Sequence, residues 1–340
     1  MLVWLAFISL ILLLLALDLG IFHRKAHVVS VREGLVWSLV WMTLGLTFSV
    51  FVYFAYEHQW LGLGIQPDPI ERTAAEPLGV PNDGPAAIVK YLTGYVVEQS
   101  LSVDNMFVIA MLFRLFGVPA AFQHRVLFWG ILGALAMRGV MIAAGAALVA
   151  RFGWVLYVFG AFLVFTAVKM MVIDVEEQDP RHNIVVRLAR RWFPVTKKYH
   201  KDHFVVRRGS KLLLTPLAIA LVMVETTDLL FAVDSIPAIL AITADPFLVF
   251  ASNAFAILGL RSLYFVLAGA LSSLRYLKVS LALVLALIGI KMLTHTWLKE
   301  LLGEYFTLYV LGAVVLILTG GTIASLLVTV SEQSAKRRSR

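Results

Sequence analysis

Five carboxylates stand inside apolar stretches of this chain. One segment reads Glu98-Gln-Ser-Leu-Ser-Val-Asp104-Asn105 and another Asp228-Leu-Leu-Phe-Ala-Val-Asp234-Ser235, so an acid, five residues and an aspartate occur twice, and Glu225 adds a fifth acid beside the second copy. A carboxylate at the middle of a bilayer costs about 2.5–3.5 kcal/mol on insertion scales. Five uncompensated ones would cost on the order of 12–18 kcal/mol, more than the ~5–15 kcal/mol of net stability of an ordinary protein. Something must neutralise them. Arg138 and Arg261 lie in neighbouring apolar runs and offset two charges. A divalent cation offsets two more, and a proton can hold the remaining one because crowded carboxylates raise one another's pKa. The chemistry that fits is reversible cation binding with protons as a coupling ion.

The donor set narrows the cation. The chain has no cysteine, which excludes disulfides, thiolate metal sites and thiol redox chemistry. Its eight histidines, His200 and His203 among them, fall outside the centres of the apolar runs. Hard oxygen ligands remain, which suit manganese, magnesium or calcium rather than copper or zinc. The first-rank ligands are Glu98, Asp104, Asp228 and Asp234. Glu225 and Asn105 are second-rank, and Arg138 and Arg261 set the electrostatics. Asn253 is a neutral oxygen donor or an interhelical hydrogen bonder. Asp18, near the end of the first run, reads as a capping or snorkelling group, and Lys169 and Lys291 as long stems that reach the membrane surface.

The elements that must carry these residues are transmembrane helices. The chain has 340 residues, 60% hydrophobic and 15% charged, with a mean hydropathy of +0.87, against about 45–50% apolar and about 25% charged in soluble domains. A spanning helix needs roughly 20 apolar residues, and the runs at 2–22, 34–55, 86–113, 124–149, 153–173, 212–243, 247–270, 276–295 and 305–328 predict nine. The fold class is all-α and polytopic. The first run has no basic residue before it and no small-residue cleavage site after it, so it reads as a retained helix rather than a signal peptide. With the N-terminus outside, 21 of the 29 basic residues fall on cytoplasmic connections and 4 on outer ones, the bias that positive-inside insertion requires. The net charge of +8 is therefore topological, and no nucleic-acid partner is expected.

The duplicated acid motif extends into a repeat. Arg138 corresponds to Arg261, each midway along its predicted span, and Val168-Lys169-Met170 to Ile290-Lys291-Met292. Spans three to five thus recur as six to eight, and because each unit has an odd number of helices the second copy is inverted, with a site expected at the midplane where the copies meet. The chain divides into two N-terminal spans with an outer loop (1–85), the first repeat (86–173), a basic cytoplasmic loop (174–211), the inverted repeat (212–295) and a last span with a basic tail (296–340). Residues six apart on an unbroken helix diverge by about 120° and lie ~9 Å apart along the axis, so Asp228 and Asp234 need a break to share one ion. Pro237 predicts that break beside Asp234, where it removes a hydrogen bond and frees carbonyls as ligands. The proline-rich 56–85 segment reads as an irregular surface loop, and VVRLARRWF within 174–211 as a short amphipathic piece on anionic headgroups.

The stretches TGYVVEQSLSVDNMFVIAMLF, YVFGAFLVFTAVKM, VETTDLLFAVDSIPAILAITADPF and SNAFAILGLRSLYFVLAGAL resemble the TerC family of integral membrane proteins, in its Alx-like branch, over nearly the whole chain. The resemblance implies a bacterial inner-membrane protein related to lysine-exporter-like transporters, linked to manganese efflux and named for tellurium resistance. It maps the family's intramembrane acids onto Glu98, Asp104, Glu225, Asp228 and Asp234. The expected function is manganese(II) export, with manganese as cargo and no tightly bound cofactor. Calcium, a tellurite-linked oxyanion, or a metal-loading role without flux are the alternatives. An intramembrane aspartyl protease is disfavoured because no GxGD motif occurs, so no enzymatic activity is expected.

Overall fold

Helix starts are fixed by a recurring cap chemistry. Ser30 accepts the Glu33 N–H at 3.2 Å and opens α1's successor α2 (Val31–Glu57); α1 itself is Leu2–Leu17. Asp83 accepts the Ala86 N–H at 2.8 Å and opens α3 (Gly84–Phe116). Thr215 and Asp245, each followed by proline, open α6 (Pro216–Leu240) and α7 (Pro246–Leu258). In each case a short oxygen-bearing side chain satisfies an orphan N–H, and in α6 and α7 proline at the first helical position sacrifices a donor that had no partner. Between and after these lie α4 (Ala120–Arg151), α5 (Val155–Val172), α8 (Leu260–Ala270), α9 (Leu277–Leu293) and α10 (Phe306–Arg338). This computed structural model describes residues 2–18, 30–71, 79–172, 196, 203–208, 211–270, 277–294 and 306–338.

The nine expected spans are met in part. Among the described residues, six helices are long and apolar enough to cross a membrane, or seven if the pair α7–α8, bent by 42°, counts as one. With 16 and 17 residues, α1 and α9 are shorter; at 1.5 Å per residue they reach about 24–26 Å, under the ~30 Å hydrocarbon core. Span six begins later than expected because residues 211–214 form strand β4, paired antiparallel with β3 (Val205–Arg208). The amphipathic VVRLARRWF stretch and His200 lie outside the described residues.

The expected break beside Asp234 does not occur. Helix α6 runs through Pro237 to Leu240, and the chain leaves it only there. Proline removes one donor, that of the bond to the Val233 carbonyl, while Ser235 to Leu240 are all buried. Packing on neighbouring helices holds the last turn despite the lost bond. The discontinuity lies instead at Gly259, in the next span.

The described parts of the 56–85 segment, 56–71 and 79–85, are not an irregular surface loop. Pro67–Asp68 (β1) pairs with Val80–Pro81 (β2), and Asp68 and Asn82 are buried. Gly79 adopts φ +95°, and a Cβ there would strike the Asp68 carbonyl, so glycine is required for the hairpin to close.

Helix α3 is the central post, in contact with α2, α6, α7, α8, α9 and α10. Around it α4 packs on α6 and α5 packs extensively on α9. The last pair is antiparallel: Gly160 meets Met292 and Leu293, while Val164 meets Gly289. A Cβ on Gly289 would lie 2.8 Å from the Gly160 carbonyl and 3.0 Å from the Val164 nitrogen. Neither backbone atom can rotate away, so Gly289→Val should cost about 1–3 kcal/mol by overpacking. A lower unfolding temperature of the purified protein would register it, and an unchanged one would mean that the two helices separate freely.

Candidate ion-binding site

Three helices bring charged side chains to one buried point. Glu98 comes from the middle of α3, Arg138 from the middle of α4 and Asp228 from α6, and Glu98 and Arg138 are fully enclosed. The Arg138 guanidinium grips Asp228 through two bonds, Nε to Oδ2 at 3.2 Å and Nη2 to Oδ1 at 3.1 Å. Its Nη1 donates to Glu98, to Asn253 Oδ1 of α7 at 2.9 Å and to Ser235 Oγ at 3.3 Å. Ser102 donates to Glu98 at 3.2 Å and Asn253 Nδ2 reaches the other Glu98 oxygen at 3.5 Å. Arginine suits this place because its planar fork engages two carboxylates in fixed directions.

The knot carries two negative charges and one positive. An arginine paired on all sides is tolerable in a dry interior, whereas either carboxylate alone would be costly. The arrangement offers two carboxylates, one amide oxygen and two hydroxyls around a resident cationic group. Arg138 holds three of the four carboxylate oxygens, so a cation that binds through more than Glu98 Oε2 must take some of them over. Among the described residues no group of three or more histidine and acid side chains is placed to hold a metal ion.

The other candidates are distributed around this knot. Asp234 turns away from it and accepts from Thr166 of α5 at 3.3 Å, as the six-residue spacing on the unbroken α6 dictates. Glu225 lies against Gly133 of α4, and its Oε2 has no hydrogen-bond partner among the described atoms. Asn105 is buried on α3. The Asp104 side chain lies outside the described residues. Arg261 follows the Gly259 break as the second residue of α8 and pairs with Asp18. Asp18 is therefore a buried ion-pair partner rather than a snorkelling or capping group. Lys169 is exposed, whereas Lys291 is buried and does not extend to the surface.

Sequence reading missed Ser102, one turn beyond Glu98, and Ser235, next to Asp234. It also missed a second polar knot at the end of the bundle where α3 begins. There Asp68 accepts from Lys90 Nζ at 3.0 Å and from the Ala244 N–H at 3.0 Å. Burial alone would push the Asp68 carboxyl up, but the Lys90 ammonium and the bonds from Thr243 and Ala244 hold it below the ordinary aspartate range. The neighbouring Asp245, desolvated and facing Asp68, is pushed up despite the Tyr56 hydroxyl at 2.8 Å. The signals were a lysine in the first turns of an apolar span and two aspartates each followed by proline, patterns that mark caps and turns as often as sites.

The integral membrane protein TerC family matches residues 83–333. The chain belongs to the TerC family. An uncharacterized membrane protein of Myxococcus xanthus is 46% identical over 87% of this chain and 84% of its own length. Alx of Escherichia coli K12, a proposed membrane-bound redox modulator, is 42% identical over 91% of this chain and 92% of its own. A membrane protein of Rickettsia bellii is 38% identical over 87% and 89%. No solved structure matches the chain. This TerC-family protein is thus an integral, multi-pass, mostly helical membrane protein, with the Glu98–Arg138–Asp228 knot at its centre.

Proposed function

We propose that this TerC-family protein is a carrier that exports manganese(II) across the bacterial inner membrane, binding the ion with oxygen ligands at the Glu98–Arg138–Asp228 knot. The observation that supports the reading most is the knot itself: two carboxylates and neutral oxygens from α3, α6 and α7 converge on one buried cationic group. A resident guanidinium that offsets one of the two carboxylate charges in the empty site and yields to a divalent cation is the charge exchange that a carrier needs. Binding must also be weak enough to release, and competition from Arg138 provides that. A redox role, which the name of the relative Alx suggests, would have to do without thiols here, since the chain has no cysteine.

The helix packing favours alternating access. The contacts of α4 with α6 and of α3 with α7 exchange under a superposition of the first repeat on the second, and the antiparallel α5–α9 pair maps onto itself. An inverted repeat requires that pattern. The matching ends also agree with the topology read from basic residues: Ile70, Val149 and Ala244 cluster at one end, and Arg125 stacks on Phe204 at the other. A reporter fused after Arg340 should therefore be cytoplasmic and one inserted between Gly62 and Leu63 external. Both on one side would refute the orientation.

Flux in proteoliposomes tests the reading. Manganese should move down an imposed pH gradient, and calcium should not compete at equal concentration. Absence of manganese movement in well-folded protein overturns the carrier proposal, and equal calcium movement reassigns the ion.

A further inference from the structure

One carboxylate at the end of the bundle joins three separate parts of the chain. Asp68 is 1% exposed, yet it accepts from Lys90 of α3 at 3.0 Å, from Thr243 at 2.5 Å and the Ala244 N–H at 3.0 Å in the α6–α7 connection, and from the Ile70 N–H at 3.1 Å in its own loop. Lys90 also donates to Asn82 at 2.6 Å and pairs with Glu71 at 3.0 Å. These partners stand at the ends of the very helices that wall the central knot. Lys90 is two turns before Glu98 on α3, Thr243 follows α6, and Ala244 precedes α7. Between the two polar layers lies one tight contact: a Cβ on Gly94 of α3 would be 2.9 Å from Ser252 Oγ of α7. Gly94 is about 6 Å along α3 from both Lys90 and Glu98.

We propose that Asp68 is a latch that closes this end of the transport pathway, so that α3 can part from α6 and α7 here only when the bonds of Asp68 to Lys90 and to the α6–α7 connection break. The proposal rests on the carrier reading above. A polar latch suits the task because a handful of directional bonds can exchange for water when the end opens, whereas a large apolar interface would resist wetting.

The absence of native cysteine makes Ser252→Cys a single reporter for the layer beneath the latch. In purified protein held in nanodiscs, this thiol should react slowly with a charged maleimide. Adding Asp68→Asn should speed the reaction about tenfold or more, the shift that loss of a buried charged partner supplies. Thr243→Val removes one donor, keeps the Asp68–Lys90 pair and should give a smaller acceleration. Asp18→Asn, at the Arg261 pair, should leave the rate unchanged. A monodisperse Asp68→Asn protein that labels at the parental rate overturns the latch. If that variant aggregates, Thr243→Val decides, and no acceleration there overturns it equally. Acceleration by Asp18→Asn to the same degree would also overturn it, because the effect would then be general loosening. No arm needs manganese, so a failure of metal flux in wild-type proteoliposomes counts against the carrier reading and a flat labelling response against the latch.

Discussion

Arg138→Gln should yield a protein that inserts but is poorly stable, with a large drop in unfolding temperature and in recovery from detergent. Arg138 is wholly buried and donates to Glu98, Asp228, Asn253 and Ser235. Its removal leaves two carboxylates facing each other in a dry interior. Stripping one partner from a buried ion pair costs about 3–5 kcal/mol, a large share of the ~5–15 kcal/mol that holds a typical fold together. The cause can be separated from loss of packing. Glu98→Gln and Asp228→Asn, added to Arg138→Gln, remove the stranded charge at nearly constant volume, so the triple variant should regain much of the lost stability. An Arg138→Gln protein as stable as the wild type would show that the acids are already neutral, and the charge balance proposed for the knot would be wrong.

The same logic applies at Arg261, and it shows where sequence was informative and where it was not. An arginine in an apolar run must have an acidic partner, so sequence could require a partner for Arg261 without identifying it. The repeat suggested the central acids. The fold pairs it with Asp18, more than two hundred residues away along the chain, which no local pattern could name. Helix existence was legible because apolar length acts locally. The α6 path through Pro237 was not, because the energy that holds its last turn comes from burial against other helices rather than from its own residues. Glu98, Asp228 and Arg138 were legible as a group because a charge in a membrane needs a reason to be there. Ser102, Ser235 and the Asp68 knot were not, since hydroxyls and loop aspartates carry no such cost until the fold encloses them.

Asp228→Asn gives the sharpest functional contrast. Asp228 supplies both of its oxygens to Arg138, and an amide of the same shape can offer only one acceptor, turning an NH2 group toward a guanidinium that can only donate. The knot then loses its net negative charge, so a divalent cation finds one carboxylate instead of two and a guanidinium no longer drawn aside. Even supporting groups around metal sites are worth about 10–100-fold, and a primary carboxylate should be worth at least as much in manganese flux. Some stability should be lost as well. Asp234→Asn is expected to differ in kind. Asp234 is half-buried and bonds to Thr166 rather than to Arg138, and an asparagine oxygen can accept from that hydroxyl equally well. Its folding stability should stay close to wild type, while flux falls if the second acid of the repeated motif lies on the ion's path. Flux and unfolding temperature measured on both variants decide the matter. Wild-type flux in Asp228→Asn would remove the knot from the pathway, and wild-type flux in Asp234→Asn would confine the ion to Glu98, Asp228 and their neighbours.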